Sequence, residues 1–403
     1  MKSPVIYQIF LRTFTQEGTL AAAEKYLPQV AQTGADTVYL TPLAYADRST
    51  DKKYWSPRHI ASGFDNPCSP YRVGDFREID PEYGTWSALR SFICAAHDCG
   101  LKVIFDLVYY HAGPTFAQTH PDWVDTNGEY CYPRLDFSSP HLREYLTENM
   151  LQYVAAGADG FRCDVGDSVP LDFWQSAVAA CRTVKADLYM LCEGETRAAE
   201  DQESGIFDSN YSFSWSYTLY DVFTGKEPAR ILTEIHRKNG PYCFVRAVEN
   251  HDIAHDTSQK KARLETVIGR DGMDAVLFLN YMVDGVPFLY NGVEICDTAP
   301  HNIFAFSGAC VIDRRNGKEP RSGFLRQLAL LRESLSGETE FFRTDGIIAF
   351  KRGEGHIAVI NCTDHIQEMP APDGEWLCSR NAAMKNNILT LSPYGFLLIR
   401  KTV

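Results

Sequence analysis

The sequence lacks several features that would assign it to a particular class of protein. It has no run of 18 apolar residues, the length that a membrane-spanning helix requires. Its 12 cysteines include no C-x-x-C pair, and it has neither H-x-H nor H-E-x-x-H, the spacings typical of zinc ligands. Positive charge is scarce, since 39 Lys and Arg face 52 Asp and Glu for a net charge of −13. A nucleic acid or an anionic membrane surface is therefore a poor partner, and a neutral or cationic ligand is expected.

The cysteines and the first residues indicate a cellular location. The cysteines are scattered, and several fall in predicted strands and helices, where buried thiols explain them better than disulfides do. The first ten residues lead into an apolar strand and lack the apolar run and cleavage site of a signal peptide. We therefore expect reduced cysteines and a cytoplasmic protein.

Apolar strands alternate with amphipathic helices along most of the chain. The predicted strands are 5–10, 37–40, 102–108, 160–164, 188–192, 206–213, 242–248 and 286–290. Repeated strand–helix–strand units set a parallel, right-handed arrangement. The length of 403 residues fits a barrel of about 250 residues with insertions and a second, smaller domain. We predict an α/β fold with a (β/α)8 TIM barrel at 1–336.

Two segments depart from this alternation. Residues 112–140 contain Pro, Gly and Asn without core periodicity, which predicts a short inserted loop domain after the third strand. From 337 to 403 the pattern changes to short strands with no helix between them. This pattern is typical of an antiparallel β-sandwich domain.

The stretch 159–167 places a basic and an acidic side chain at the end of a predicted strand. In an extended chain, Arg162 and Asp164 lie on one face, and Phe161 and Cys163 lie on the other. The neighbouring cation favours the ionised carboxylate and fixes its orientation. Taken alone, such an R-x-D is more often a structural ion pair than a catalytic group.

Other polar residues follow predicted strands at the same edge of the barrel, where the active sites of such folds lie. They are Asp106, His111, Glu193, His251 and Asp252. Glycoside hydrolysis needs one carboxylate and one protonated carboxylic acid. We expect Asp164 to stay ionised beside Arg162, and we expect burial to raise the pKa of Glu193.

Four segments resemble, in order, those of the α-amylase family of retaining glycoside hydrolases, of the family 13 type. They are Asp106-Leu-Val-Tyr-Tyr-His111, Gly160-Phe-Arg-Cys-Asp164, Leu191-Cys-Glu-Gly-Glu195 and Val248-Glu-Asn-His-Asp252. The resemblance implies that Asp164 is the nucleophile, Glu193 the general acid/base and Asp252 the transition-state stabiliser. It implies further substrate-binding positions at Tyr71, Asp106, His111, Arg162 and His251. Among these, Arg162 would orient the nucleophile, and Tyr71 would stack on the sugar.

The chain also departs from the family pattern. Tyr110 stands where the family often has an Asn that binds calcium, and the inserted domain is short, so we predict no calcium site and no other cofactor. An Arg common after the fourth segment is missing, and His255 and Asp256 occupy that region. Val165 directly follows the nucleophile, and a valine there resembles the pattern of family members that cleave α-1,6 bonds or small malto-oligosaccharides and cyclodextrins. Glu195 is a competing acid but lies beyond the strand end, which favours Glu193.

The leading hypothesis is a retaining glycoside hydrolase that cleaves α-1,4 or α-1,6 bonds in short α-glucans. The same site could instead transfer the glycosyl group to another sugar or to phosphate. From other classes, a barrel metallohydrolase would require ligand spacings that the sequence lacks, and a non-catalytic sugar-binding protein would not need the complete acidic set. The short insertion leaves open whether the cleft is open or is completed by a second copy in a homo-oligomer.

Overall fold

The computed structural model describes residues 4–125, 131–255, 262–314 and 320–401, and for His255 only the backbone. The strands are β1 (Ile6–Ile9), β2 (Thr37–Leu40), β3 (Ala44–Ala46), β4 (Val73–Ile79), β5 (Lys102–Leu107), β6 (Val124–Asp125), β7 (Arg134–Leu135), β8 (Gly160–Cys163), β9 (Tyr189–Cys192), β10 (Ser209–Tyr211), β11 (Phe244–Ala247), β12 (Val286–Tyr290), β13 (Thr339–Thr344), β14 (Ile347–Arg352), β15 (His356–Asn361), β16 (Gln367–Pro370), β17 (Glu375–Lys385) and β18 (Ile388–Arg400).

The α-helices are α1 (Leu11–Phe14), α2 (Leu20–Glu24), α3 (Leu27–Gln32), α4 (Pro57–Ser62), α5 (Trp86–Asp98), α6 (Pro114–Thr119), α7 (Pro140–Ala156), α8 (Leu171–Val184), α9 (Ala198–Glu203), α10 (Phe213–Phe223), α11 (Arg230–Asn239), α12 (Leu264–Met282) and α13 (Ser322–Glu333). None of the helices in the described ranges is long and apolar enough to cross a membrane.

Eight parallel strands close into a barrel, in the order β1-β12-β11-β10-β9-β8-β5-β2. The predicted TIM barrel is confirmed, and each predicted barrel strand has a counterpart. Side chains from alternate positions fill the barrel interior, among them Ile6, Tyr39, Ile104, Leu191, Val245 and Phe288. The barrel is therefore a packed core, and only its carboxyl-end rim is available for chemistry.

The alternation of β8 explains how the acidic stretch reaches that rim. Phe161 and Cys163 are fully buried in the layer between the strands and the surrounding helices. Arg162 points to the opposite side, where it meets Asp164 and Asp106. The predicted division of this strand into two faces is confirmed.

Two elements show how local signals divide the chain. Residues 20–32 form two helices, α2 and α3, and Pro28 lies in the first turn of the second. Proline fits a first turn because its missing N–H has no partner there. The strand expected over 206–213 is shorter, and α10 begins at Phe213, where the Ser212 side chain accepts from the backbone N–H of Trp215. That cap stops the strand and starts the helix.

Two excursions leave the barrel on the side of the site. The first, between β2 and β5, contains the antiparallel pair β3 and β4 and the short helix α4. The second is the predicted insertion at 112–140, which contains α6 and the short antiparallel pair β6 and β7.

The C-terminal region is antiparallel, as predicted. One hydrogen-bonded sheet has the order β13-β14-β15-β18-β16, and β17 pairs with β18. The long β18 joins two halves, because Phe396 to Arg400 pair with β15 and Ile388 to Leu391 pair with β16. This sheet has its own apolar cluster. Its strands belong to one hydrogen-bonded sheet, whereas a sandwich has two separate sheets. The domain boundary after residue 336 stays a prediction.

Candidate active site

The predicted acidic and basic residues meet at the carboxyl-end rim of the barrel. Arg162, in β8, is almost fully buried, and its guanidinium contacts three carboxylates. Its Nη1 donates to Asp106 Oδ1 at 2.7 Å and to Asp164 Oδ1 at 2.8 Å, and its Nη2 pairs with Glu193 Oε1. Asp164 directly follows β8 and Glu193 directly follows β9, so neighbouring strand ends bring the two acids to one cation.

Asp164 and Glu193 are electrostatically linked. Burial raises the pKa of Asp164 well above its ordinary value, and the Glu193 carboxylate raises it further, against the opposing effect of Arg162. Burial also raises the pKa of Glu193, where Arg162 again opposes and Asp252 adds to the rise. Two such carboxyl groups titrate together and retain one proton to a higher pH than isolated ones.

These pKa shifts bear on two expectations from the sequence. The raised pKa predicted for Glu193 is present. Arg162 lowers the pKa of Asp164, as expected, but burial and Glu193 outweigh the cation, so the pKa lies above its ordinary value. The difference between the two acids therefore depends on which of them holds the shared proton.

Tyr71, Asp106 and His251 form a hydrogen-bonded layer beside the acids. The Tyr71 hydroxyl lies 2.8 Å from Asp106 Oδ2 and 2.6 Å from His251 Nε2, and the two rings stack at 5.2 Å between centroids. Tyr39 also donates to Asp106 Oδ2 at 2.5 Å. With Arg162 on its other oxygen, Asp106 has donors on both oxygens and lies beneath the site, where it orients Arg162 and Tyr71.

The third carboxylate, Asp252, has its own basic partners. Arg58 Nη1 donates to Asp252 Oδ1 at 2.8 Å, and His251 Nε2 lies 3.2 Å from Oδ2. Burial alone would raise the pKa of Asp252, but His251 and Arg58 outweigh burial and lower it below its ordinary value. Asp252 is therefore ionised when Asp164 and Glu193 share a proton.

His111 also reaches the site. Its Nε2 lies 2.8 Å from the carbonyl oxygen of Tyr71. Burial lowers the pKa of His111 to about 4, so the ring is neutral at physiological pH. A neutral imidazole can hydrogen-bond a sugar hydroxyl without adding a charge to the site.

These residues line a cleft of about 360 Å³. Five of the predicted residues form part of its wall: Tyr71, His111, Asp164, Glu193 and Asp252. The wall also contains residues that the sequence did not identify, which are Arg58, Tyr132, Phe213, Tyr217 and Phe304. Phe213 and Tyr217 stack at 6.2 Å between ring centroids. Flat aromatic faces of this kind suit the apolar side of a sugar ring.

Two acidic residues near the site are used elsewhere. Glu195 accepts hydrogen bonds from the backbone N–H and the hydroxyl of Ser214 at the start of α10. Asp167, which had no assigned part, accepts from the Thr196 hydroxyl and packs against Gly194, where a Cβ would lie 2.2 Å from its carboxyl carbon. Asp167 therefore fixes the turn after Glu193, and Glu195 stabilises a helix start.

Comparison with known proteins finds similar sequences and structures. The family model "Alpha amylase, catalytic domain" matches residues 8–123. Alpha-amylase MalA of Haloarcula japonica is 26% identical over 89% of this chain, and the alignment covers 55% of that protein. The chain is thus similar in sequence to proteins of the α-amylase family. It spans little more than half the length of that relative.

Further members of the α-amylase family agree in fold. The cyclomaltodextrinase of Geobacillus thermopakistaniensis is 24% identical over 94% of this chain and 70% of its own length. The crystal structure of an alpha-amylase from Lactobacillus plantarum superposes with a TM-score of 0.80, 22% identity and 99% coverage of both chains. At that identity the superposition establishes the shared fold.

The calcium site often found in the α-amylase family does not fit the residues present here. Tyr110 stands in place of an amide donor, and the guanidinium of Arg134 lies 5.4 Å from the centre of its ring. A cation at that position opposes a second cation, and the aromatic ring supplies no oxygen ligand of the kind calcium prefers. Within the described ranges, no group of three or more His, Cys, Asp or Glu is arranged to hold a metal.

Proposed function

We propose that this protein is a retaining glycoside hydrolase that cleaves α-glucosidic bonds in short α-glucans. The observation that carries the proposal is the contact of the buried Arg162 with both Asp164 and Glu193. The two carboxyl groups face one cleft and each has a raised pKa, which favours the protonated form, and a retaining hydrolase needs one ionised and one protonated acid.

The chemistry assigns separate steps to the three acids. With the shared proton on Glu193, an Asp164 oxygen attacks the anomeric carbon while Glu193 gives its proton to the departing glycosidic oxygen. The bond to the leaving sugar breaks and a glycosyl ester of Asp164 forms. Glu193, now ionised, takes a proton from water, whose oxygen attacks the same carbon and releases Asp164. Asp252 stays ionised and accepts hydrogen bonds from sugar hydroxyls as positive charge develops on the ring.

The cleft supports a neutral sugar as the substrate. Its wall combines three acids with aromatic rings, and the whole chain is acidic, which disfavours an anionic ligand. We propose malto-oligosaccharides and related short α-glucans, because the named relatives of this chain include an alpha-amylase and a cyclomaltodextrinase. We also propose that the protein works in the cytoplasm, since no disulfide joins any of its 12 cysteines.

One panel of products tests the proposal. The wild-type protein is incubated with maltotriose, panose, pullulan and cyclodextrin, and the products are separated by chromatography. We expect hydrolysis of at least one of these sugars, and we expect Asp164→Asn and Glu193→Gln each to remove nearly all turnover while the far-UV spectrum is unchanged. Absence of turnover with every sugar would leave a non-catalytic sugar-binding protein as the better explanation.

A second arm of the same experiment identifies whether water, a sugar or phosphate accepts the glycosyl group. Excess glucose or inorganic phosphate is added to the most reactive sugar. Hydrolysis gives only sugars whose new reducing end carries an oxygen from water. Transfer instead gives a longer oligosaccharide or a sugar phosphate. We expect hydrolysis to dominate, because the cleft is partly open to solvent and water can reach the ester.

A further inference from the structure

Helix α4 reaches the active site from an excursion outside the barrel. Three flat rings hold it, because His59 is stacked between Trp55 and Phe304 with centroid distances of 4.0 and 4.3 Å. The Ser56 side chain also accepts from the backbone N–H of His59 at 3.1 Å and caps the helix start. His59 is fully buried, so the orientation of this short helix is fixed by packing.

The fixed helix presents Arg58 to Asp252. The guanidinium donates to Asp252 Oδ1 at 2.8 Å through Nη1 and to the Asp252 carbonyl oxygen at 3.4 Å through Nη2. Both residues line the cleft, and Arg58 remains partly exposed there. One side chain therefore holds both the carboxylate and the backbone of the same residue, which restricts its rotation.

No arginine that follows Asp252 in the described ranges is available to form these contacts with it. Arg263 is the first arginine after Asp252 in the sequence. Its guanidinium pairs instead with Glu249 at 2.8 Å and with Asp297 at 3.2 Å, and it is buried there. The cation at Asp252 is thus supplied from residue 58, which is 194 positions away.

We propose that Arg58 is the positioning residue of Asp252, and that it replaces the arginine absent from the fourth family segment. This inference rests on the proposed function, since it assigns Asp252 to transition-state stabilisation. Arg58 keeps the carboxylate in the orientation that meets the sugar. The excursion between β2 and β5 is therefore part of the active site.

The charges around Asp252 support this assignment. The described groups facing it are Arg58 from α4, its neighbour His251, Arg162 from β8, Glu193 after β9 and Tyr211 from β10. Burial lowers the pKa of His251, which is therefore neutral near pH 7. Arg162 contacts the other three acids, so among the residues that the structure describes Arg58 is the permanent cation in direct contact with Asp252.

Kinetics of Arg58→Ala test the proposal. The measurement is kcat and KM as functions of pH on the best short α-glucan. We expect a loss of kcat/KM of about 10- to 100-fold, mostly in kcat, because a misplaced catalytic group loses rate in this range. The pKa of Asp252 should also rise in this variant, since the Arg58 cation lowers it in the wild type.

Two variants and one added ion separate positioning from folding. Arg58→Lys keeps a charge and should retain part of the kcat that Arg58→Ala loses. Guanidinium ion in millimolar amounts should restore part of the kcat of Arg58→Ala. The matched control is Lys53→Ala, in the same excursion, whose side chain pairs with Asp51 at 3.2 Å on the surface. It should match the wild type and show no effect of guanidinium.

A titration that needs no activity keeps this test separate from the test of function. Carbon-13 NMR of the carboxyl groups, with Asp252→Asn for assignment, measures the pKa of Asp252 with and without Arg58. A higher pKa in Arg58→Ala supports the inference even if the wild type turns over no α-glucan, in which case only the proposed function fails. An unchanged pKa, or an active protein with unchanged kcat in Arg58→Ala, overturns the inference. Lost activity that neither guanidinium ion nor Arg58→Lys restores also overturns it.

Discussion

The backbone N–H of Val165 donates a hydrogen bond to Glu193 Oε2 at 2.8 Å. Val165 directly follows Asp164 and has a φ of 46°, a left-handed conformation that a β-branched residue rarely adopts. The strain is located where one of the proposed catalytic acids, Glu193, is hydrogen-bonded to the backbone beside the other, Asp164. Such strain persists where the surrounding structure imposes it, and here it orients the acid.

Val165→Gly should therefore separate stability from activity. Glycine adopts this conformation without strain, and the strain removed is on the order of 1 kcal/mol, so the thermal unfolding midpoint should equal or exceed that of the wild type. The more mobile backbone should hold Glu193 less firmly, and kcat should fall several-fold. Val184→Gly, at the exposed end of α8, relieves no strain and should lower the midpoint. A destabilised Val165→Gly protein with wild-type kcat would contradict this account.

The shared proton predicts a shift of the acid limb in Glu193→Gln. With α-glucosyl fluoride, whose leaving group needs no acid, the first step depends on ionised Asp164. The Glu193 charge raises the pKa of Asp164, so its removal should lower that pKa and move the acid limb to lower pH. The control is Glu195→Gln, which changes a helix start and leaves the cleft charges unchanged. A limb that does not move, or that moves equally in both variants, would show that the two acids are not coupled.

Stability should fall in mild acid because of His59. Burial lowers the pKa of His59 to about 4, below the ordinary value of 6.5. Between these values the unfolded chain binds a proton that the folded ring does not, so stability is lost as pH falls through about 6.5 towards 4. The loss at pH 5 is about 2 kcal/mol for one such group. His59→Phe keeps a flat ring between Trp55 and Phe304 and should lose less stability between pH 7 and 5, measured by denaturant unfolding.

Calcium should have no effect on turnover. The position of Tyr110 beside Arg134 lacks the oxygen ligands that the ion prefers. Dialysis against a chelator should leave kcat and the thermal midpoint unchanged, and added calcium should not raise either. Activity that disappears with the chelator and returns only with calcium would refute this prediction.

The barrel and the central acids were predictable because their signals are local. Each barrel strand is an apolar run, and the polar residue at its end, such as Asp164 or Glu193, follows directly in sequence. The two faces of β8 follow from the period of two alone. The alternation of strands and helices then determines which strand ends share a rim.

The remaining parts of the site depend on contacts between distant segments. Arg58 meets Asp252 only because α4 is held by Phe304, and no periodicity connects residues 58, 252 and 304. The start of α10 was missed because Phe213 lies in an aromatic run that suits a strand as well as a helix. The electrostatics of Asp164 also required the fold, since the sequence shows the neighbouring Arg162 but not the burial or the approach of Glu193.

The central claim is that Asp164 forms a covalent bond to the sugar while Glu193 controls its release. The most direct measurement is mass spectrometry of Glu193→Gln after reaction with α-glucosyl fluoride, in which release of the ester by water is slowed. The account predicts one added hexosyl unit, located by fragmentation on the carboxyl group of Asp164. A hexosyl unit on another residue, or rapid turnover of the fluoride with no covalent adduct, would contradict it.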